Sequence, residues 1–183
     1  MPTLATVRPT GLPTRTLPTL ALPPHAQPTG PEWVLAAPFR AHVLYLMQTA
    51  QVPWPVVAFQ AGVPFATLRT LLYGREGRFR TKIPHHAAER LLDLRPQDLA
   101  WMRHAQVSAE RTGGHIRLLR SRHVDWADIA RFIEQDEDTT RAFAHRERTS
   151  CSVLTETLAQ AACLAIGVHP WEHPEDVPDD AID

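Results

Sequence analysis

The apolar positions of this chain recur at helical spacing in several separate runs, and proline and glycine punctuate the gaps between them. Phe39, Val43, Leu46, Met47 and Ala50 share one helical face after Pro38, which suits a first turn, so a helix is predicted over about 38–50. Val52-Pro53 breaks it. Pro55 suits the start of a short second helix over about 55–61, and Gly62 supplies the positive φ of a sharp turn. A third helix is predicted from Phe65 to Tyr73, ended by Gly74. Pro84 opens a fourth, with Ala87, Ala88, Leu91 and Leu92 on its apolar face through Leu94. From Arg95 to Gly114 the pattern weakens: Pro96-Gln97-Asp98 starts a short helix carrying Leu99 and Trp101, and Gly113-Gly114 reads as a turn or linker.

Beyond Gly114 the plan repeats at a constant offset. Leu46, Val52, Trp54, Val57, Ala58, Thr67, Arg69 and Leu71 are matched 72 positions later by Leu118, Val124, Trp126, Ile129, Ala130, Thr139, Arg141 and Phe143. Duplication is the simplest account of that spacing, and Trp54 and Trp126 are expected to open the second helix of each copy and pack back on the first. Thr149 or Ser150 is expected to cap a last helix in which Val153, Leu154, Leu158, Ala161, Ala162 and Ala165 form an apolar stripe ending at Gly167. That stripe covers the second unit or pairs with another subunit, the former being preferred. The predicted fold is all-α: two tandem helix-turn-helix units plus a C-terminal helix, flanked by disordered tails. Its segments are a Pro-rich arm (1–31), a first domain (32–94), a linker with a short helix (95–114), a second unit with the last helix (115–167) and an acidic tail (168–183).

The run from Trp54 to Gly74, with Ala58 four residues before Gly62, Val63 after it and Leu68 and Leu71 beyond, resembles the helix-turn-helix of the phage-repressor-like class of DNA-binding regulators. The resemblance implies that Val57, Ala58, Val63, Leu68 and Leu71 are buried and that the third helix enters the major groove. Phe65, Ala66, Thr67, Arg69, Thr70 and Tyr73 would then face the bases. Arg75, Arg78, Arg80 and Lys82 follow in a loop that would lie along the phosphate backbone. The second copy departs from the pattern: Glu134 replaces the turn glycine, Gln135 replaces the apolar residue after it, and Asp136, Glu137 and Asp138 begin the third helix. Its corresponding positions are Glu137, Asp138, Arg141, Ala142 and His145, followed by Arg146 and Arg148. Acids favour a helix N-terminus but repel phosphate, although a carboxylate accepts from a cytosine amino group, so DNA contact and a protein-binding or structural role both stand.

Charge changes this picture little. The formal net charge is −1, but Glu172 to Asp183 holds six acids and no Lys or Arg, and without both tails 17 basic and 14 acidic residues remain. The first 31 residues carry eight of the 17 prolines and cannot sustain helix hydrogen bonding. Cys151 and Cys163 belong to no CxxC pair and are expected as buried free thiols. His85-His86 point about 100° apart on a helix, and Pro170 and Pro174 interrupt the spacing of His169 and His173, so no metal or other cofactor is expected. No catalytic signature appears, which argues against an enzyme. The expected function is a sequence-specific regulator of double-stranded DNA, acting as a repressor by site occupancy in the cytoplasm or on the nucleoid, with no membrane partner. A homodimer or protein partner would use the last helix. The rival is an antitoxin-like or adaptor protein whose C-terminal unit binds a protein. The acidic tail is expected to compete with DNA for the basic loop.

Overall fold

The computed structural model describes residues 32–168, so the expectations for the Pro-rich arm and for nearly all of the acidic tail lie outside the described residues. The first half runs β1 (Trp33–Leu35), α1 (Ala37–Ala50), α2 (Trp54–Gln60), α3 (Phe65–Tyr73), β2 (Lys82–Pro84) and α4 (His85–Leu92). Then come α5 (Pro96–Ala100) and a single 3-10 turn (Trp101–Arg103). The second half runs β3 (Gln106–Ser108), α6 (Glu110–Ser121), α7 (Trp126–Phe132), α8 (Glu137–Ala144), β4 (Ser150–Ser152) and α9 (Val153–Ala165).

The all-α expectation is corrected by the four strands, which form two antiparallel pairs. In β1–β2, Val34 lies opposite Ile83; in β3–β4, Val107 lies opposite Cys151. Three residues are too few to display an alternating pattern; Ile83 and Cys151 are buried, and their partners Val34 and Val107 are half-buried, as are Pro84 and Ser152. Each pair ties the start of its half to the entry of its last helix. The chain remains mostly helical.

The repetition extends to the backbone. Left-handed φ values recur 72 residues apart at Gln51 and His123, Gly62 and Glu134, and Gly74 and Arg146. Val63 N–H donates to Ala58 O at 2.9 Å, and Gln135 N–H donates to Ala130 O at 3.0 Å. Ahead of the first helices, Ala36 N–H donates to Thr81 O and Ala109 N–H to Thr149 O in the same way. The turn glycine is therefore replaced by Glu134 without a change of conformation, and a side chain held there costs about 1–2 kcal/mol.

Two local expectations are corrected. Gly113 and Gly114 form no turn; both are buried inside α6. A Cβ at Gly113 would collide with the Phe143 carbonyl, so the absence of a side chain lets α6 approach the end of α8. The last helix is capped by Ser152, not by Thr149 or Ser150, because β4 carries the extended chain to Ser152 and α9 begins only at Val153. The Ser152 hydroxyl accepts from Thr155 N–H at 3.1 Å.

α9 is longer than its counterpart α4 and packs against α6 and α7 of its own half and against α2 of the other. It thus covers the second half as preferred and also joins it to the first. Between the halves, α5 packs on α1, and Leu99 and Met102 are fully buried. One apolar core therefore runs through both halves. Cys151 and Cys163 are buried free thiols; burial pushes the Cys163 pKa up to about 12.

Candidate nucleic-acid interface

α3 begins after Pro64, whose extended backbone ends the turn, and its Leu68, Leu71 and Leu72 point into the core. The spacing of these three leaves Ala66, Arg69 and Tyr73 exposed along the opposite face. Phe65, Thr67 and Thr70 are half-buried at its margins. Phe65 is partly engaged in packing, edge-on to Trp54 with ring centroids 5.9 Å apart. The Thr70 hydroxyl donates to Ala66 O within the helix. The turn before α3 is held from α4, where Arg90 Nη1 donates to Gly62 O at 2.8 Å.

Arg69 makes no hydrogen bond or ion pair with any other described residue. No acid stands in the first turn of α3 to compete with an anion. A helix face with one unengaged guanidinium, small neighbours and a terminal tyrosine offers donors in a pattern that suits base edges or phosphates.

The segment after α3 is a tight hairpin. Arg75 N–H donates to Arg78 O at 2.9 Å and Arg78 N–H to Arg75 O at 3.0 Å, with Glu76 and Gly77 between them at φ 52° and 76°. Two central residues at positive φ match the right-handed twist of a two-residue hairpin. Gly74 is needed at its base, because a Cβ there would lie 2.6 Å from Arg78 O. Directly opposed residues in an antiparallel pair project to one face, so the exposed Arg75 and Arg78 side chains are placed together. Like charges so placed repel, and the Arg75–Glu76 pair, 3.6 Å apart and fully solvated, relieves little of it. An anion bound by both would.

Ala66, Arg69, Thr70, Gly74, Arg75 and Glu76 line one concavity of about 380 Å³. The structure therefore brings the arginine of α3 and the first arginine of the hairpin to one surface. Arg80 and Lys82 lie outside that concavity. Arg80 is half-buried with its guanidinium 5.5 Å from the Trp33 ring centroid, and Lys82 is exposed in β2 opposite Leu35.

A residue absent from the sequence-based set holds this arrangement. Arg40 of α1 donates from Nε to Leu71 O at 2.6 Å and from Nη2 to Arg80 O at 3.1 Å, and it stacks 4.4 Å from the Phe79 ring centroid. It fixes the end of α3 and the returning arm of the hairpin to α1, and it anchors Phe79 on the protein. A lone arginine in a helix of otherwise apolar spacing gives no sign of this task. In the second half the equivalent position is Thr112, whose hydroxyl lies 3.2 Å from the Cys151 thiol, and the buried Arg117 donates to Ala144 O at 2.9 Å instead.

The second half differs on its corresponding face. Asp136 caps α8, accepting from Thr139 N–H at 2.7 Å and from its hydroxyl at 2.8 Å; these bonds hold its carboxyl below the ordinary carboxylate range. Arg141 pairs with Glu137 at 3.1 Å and Asp138 at 3.9 Å, and its guanidinium lies 5.3 Å from the Trp126 ring centroid. Arg120 approaches the same ring at 4.8 Å. Ala142 is half-buried, and its carbonyl accepts from Glu147 and Arg148 N–H groups. His145 is exposed, while Arg146 and Arg148 line a separate concavity with Ser108 and Glu110. Only five residues, 145–149, link α8 to β4, so there is no counterpart of the Arg75–Arg78 hairpin.

Among the described residues no helix is long and apolar enough to cross a membrane. Comparisons with protein-family models, curated proteins and solved structures find no match for this chain.

Proposed function

We propose that this protein is a sequence-specific double-stranded DNA-binding regulator, with α2 and α3 as a helix-turn-helix and α3 as the helix that enters the major groove. The observation that carries this reading is the continuity of the unengaged Arg69 on α3 with Arg75 of a hairpin whose two arginines share a face. Ala66, Arg69 and Tyr73 read base edges, Thr67, Thr70 and the rim of Phe65 border them, and Arg75 and Arg78 bind phosphate, with Arg80 and Lys82 alongside. The simplest mode of action is occupancy of the site, as a repressor.

The second half acts as a structural or protein-facing unit in this reading. Its Arg141 is already satisfied by Glu137, Asp138 and Trp126, and the two acids exposed on α8 would stand against phosphate. One reading helix per chain favours two chains on a palindromic site.

Selection of bound sequences from random duplex DNA, followed by footprinting at two salt concentrations, tests the proposal. The expected result is an enriched palindrome and a log K against log salt slope of about −3.6 per chain for four neutralised phosphates, or about −7.2 for two chains. No enrichment at any salt concentration overturns it. A long asymmetric consensus would instead assign base contacts to both halves.

A further inference from the structure

Beside the exposed face of α3 lies an apolar groove of about 670 Å³, walled on one side by Phe59, Val63 and Phe65 and on the other by Leu164 and Ala165 at the end of α9. None of its lining residues is charged. Ala66 borders both this groove and the basic concavity of Arg69 and Arg75, so the two are neighbours along α3. The surface thus changes from apolar to basic in one direction.

The chain leaves α9 at the apolar end of that surface. Gly167, at φ 78°, turns it back, with Gly167 N–H donating to Leu164 O at 3.1 Å and Val168 N–H to Cys163 O at 2.9 Å. Val168 is buried, so the point of departure is pinned to the body. The next residues are His169-Pro170-Trp171, followed by six acids between Glu172 and Asp183 with no Lys or Arg. Three residues reach about 10 Å, and Leu164 and Ala165 stand within one turn of Val168. The order of the segment, one large aromatic and then acids, matches the order of the surface.

We propose that residues 169–183 dock on their own chain, with Trp171 in the apolar groove and the following carboxylates over Arg69 and Arg75, so that the segment covers the face of α3 until DNA displaces it. The inference deepens the DNA-binding reading by assigning a regulator of the same face, although docking itself needs no DNA. The indole removes apolar surface from water on both sides of the groove, while the carboxylates pair with arginines that lack strong partners. Ion pairing would weaken with salt and the apolar anchor would not.

A spin label on Asp180→Cys in the full chain tests the docking, since Cys151 and Cys163 are buried and leave the new thiol as the reactive one. The expected result is paramagnetic broadening of the Ala66, Arg69 and Arg75 amides, removed by a further Trp171→Ala substitution. Broadening elsewhere, or broadening unchanged by Trp171→Ala, overturns the proposal. Mixing labelled chains with isotope-enriched unlabelled ones should transfer no broadening; transfer would mean exchange between copies and would overturn docking within one chain. In a separate binding assay at low salt, Trp171→Ala in the unlabelled protein should tighten non-specific duplex binding about fivefold or more. Broadening without any DNA binding would leave the docked segment in place and remove the DNA-binding reading. DNA binding without broadening would do the reverse.

Discussion

The two halves of this protein share a backbone plan and differ in what they present on their third helices. In α3, Arg69 is exposed and unengaged; in α8 its counterpart Arg141 is held by Glu137, Asp138 and the Trp126 ring. The first half follows its helix with a glycine-based hairpin that displays two arginines. The second crosses to its strand in five residues. The repeated backbone plan thus keeps its turns while the surroundings of its outward side chains differ, because the fold constrains only the former. Resemblance between the halves is therefore no argument that both bind the same partner.

The largest effect expected to separate them is in the core. Leu68→Ala should destabilise the protein by about 2–5 kcal/mol, whereas Thr140→Ala at the equivalent position should cost about 1 kcal/mol, mainly through the hydroxyl that donates to Asp136 O at 2.8 Å. Urea unfolding with an unchanged m-value checks this, and equal losses would show that the two third helices are seated alike. For binding, Arg69→Ala should weaken specific DNA affinity by about 1–3 kcal/mol, while Arg141→Ala should change it less than about twofold. Fluorescence anisotropy on the selected site decides the point, and equal losses would return the second half to the interface.

A smaller contrast concerns the turns. Gly62→Ala should lose about 1 kcal/mol because its φ of 60° is unfavourable for a side chain. Glu134→Gly, at φ 56°, should gain about 0.5 kcal/mol once the greater freedom of glycine in the unfolded chain is counted. The Arg103–Glu134 pair, 3.9 Å apart at the surface, offsets little of that gain. Thermal melts of both variants provide the test. The smallest effect is in acid. Because the Asp136 pKa is lowered on folding, its capping contribution is present above the ordinary carboxylate value near 3.8 and is lost as pH falls through the lower folded value. The stability gap between the wild type and Asp136→Ala should close over that window, and a gap that persisted at lower pH would assign the effect to something other than the charged cap.

The sequence alone determined most of the helices, the offset of the repeat and the inward positions of the first half, because periodicity and Pro/Gly punctuation are local properties. It also marked Arg69, Arg75 and Arg78 as charges near one another along the chain. Only tertiary structure decided that Gly113-Gly114 lies inside a packed helix, since the reason for those glycines is the Phe143 carbonyl, 30 residues away from Gly113. The strands also needed it, because three-residue segments gain their backbone partners from distant chain. So did the difference between Arg69 and Arg141. Both occupy the same repeat position, and what separates them is which side chains surround each guanidinium in space.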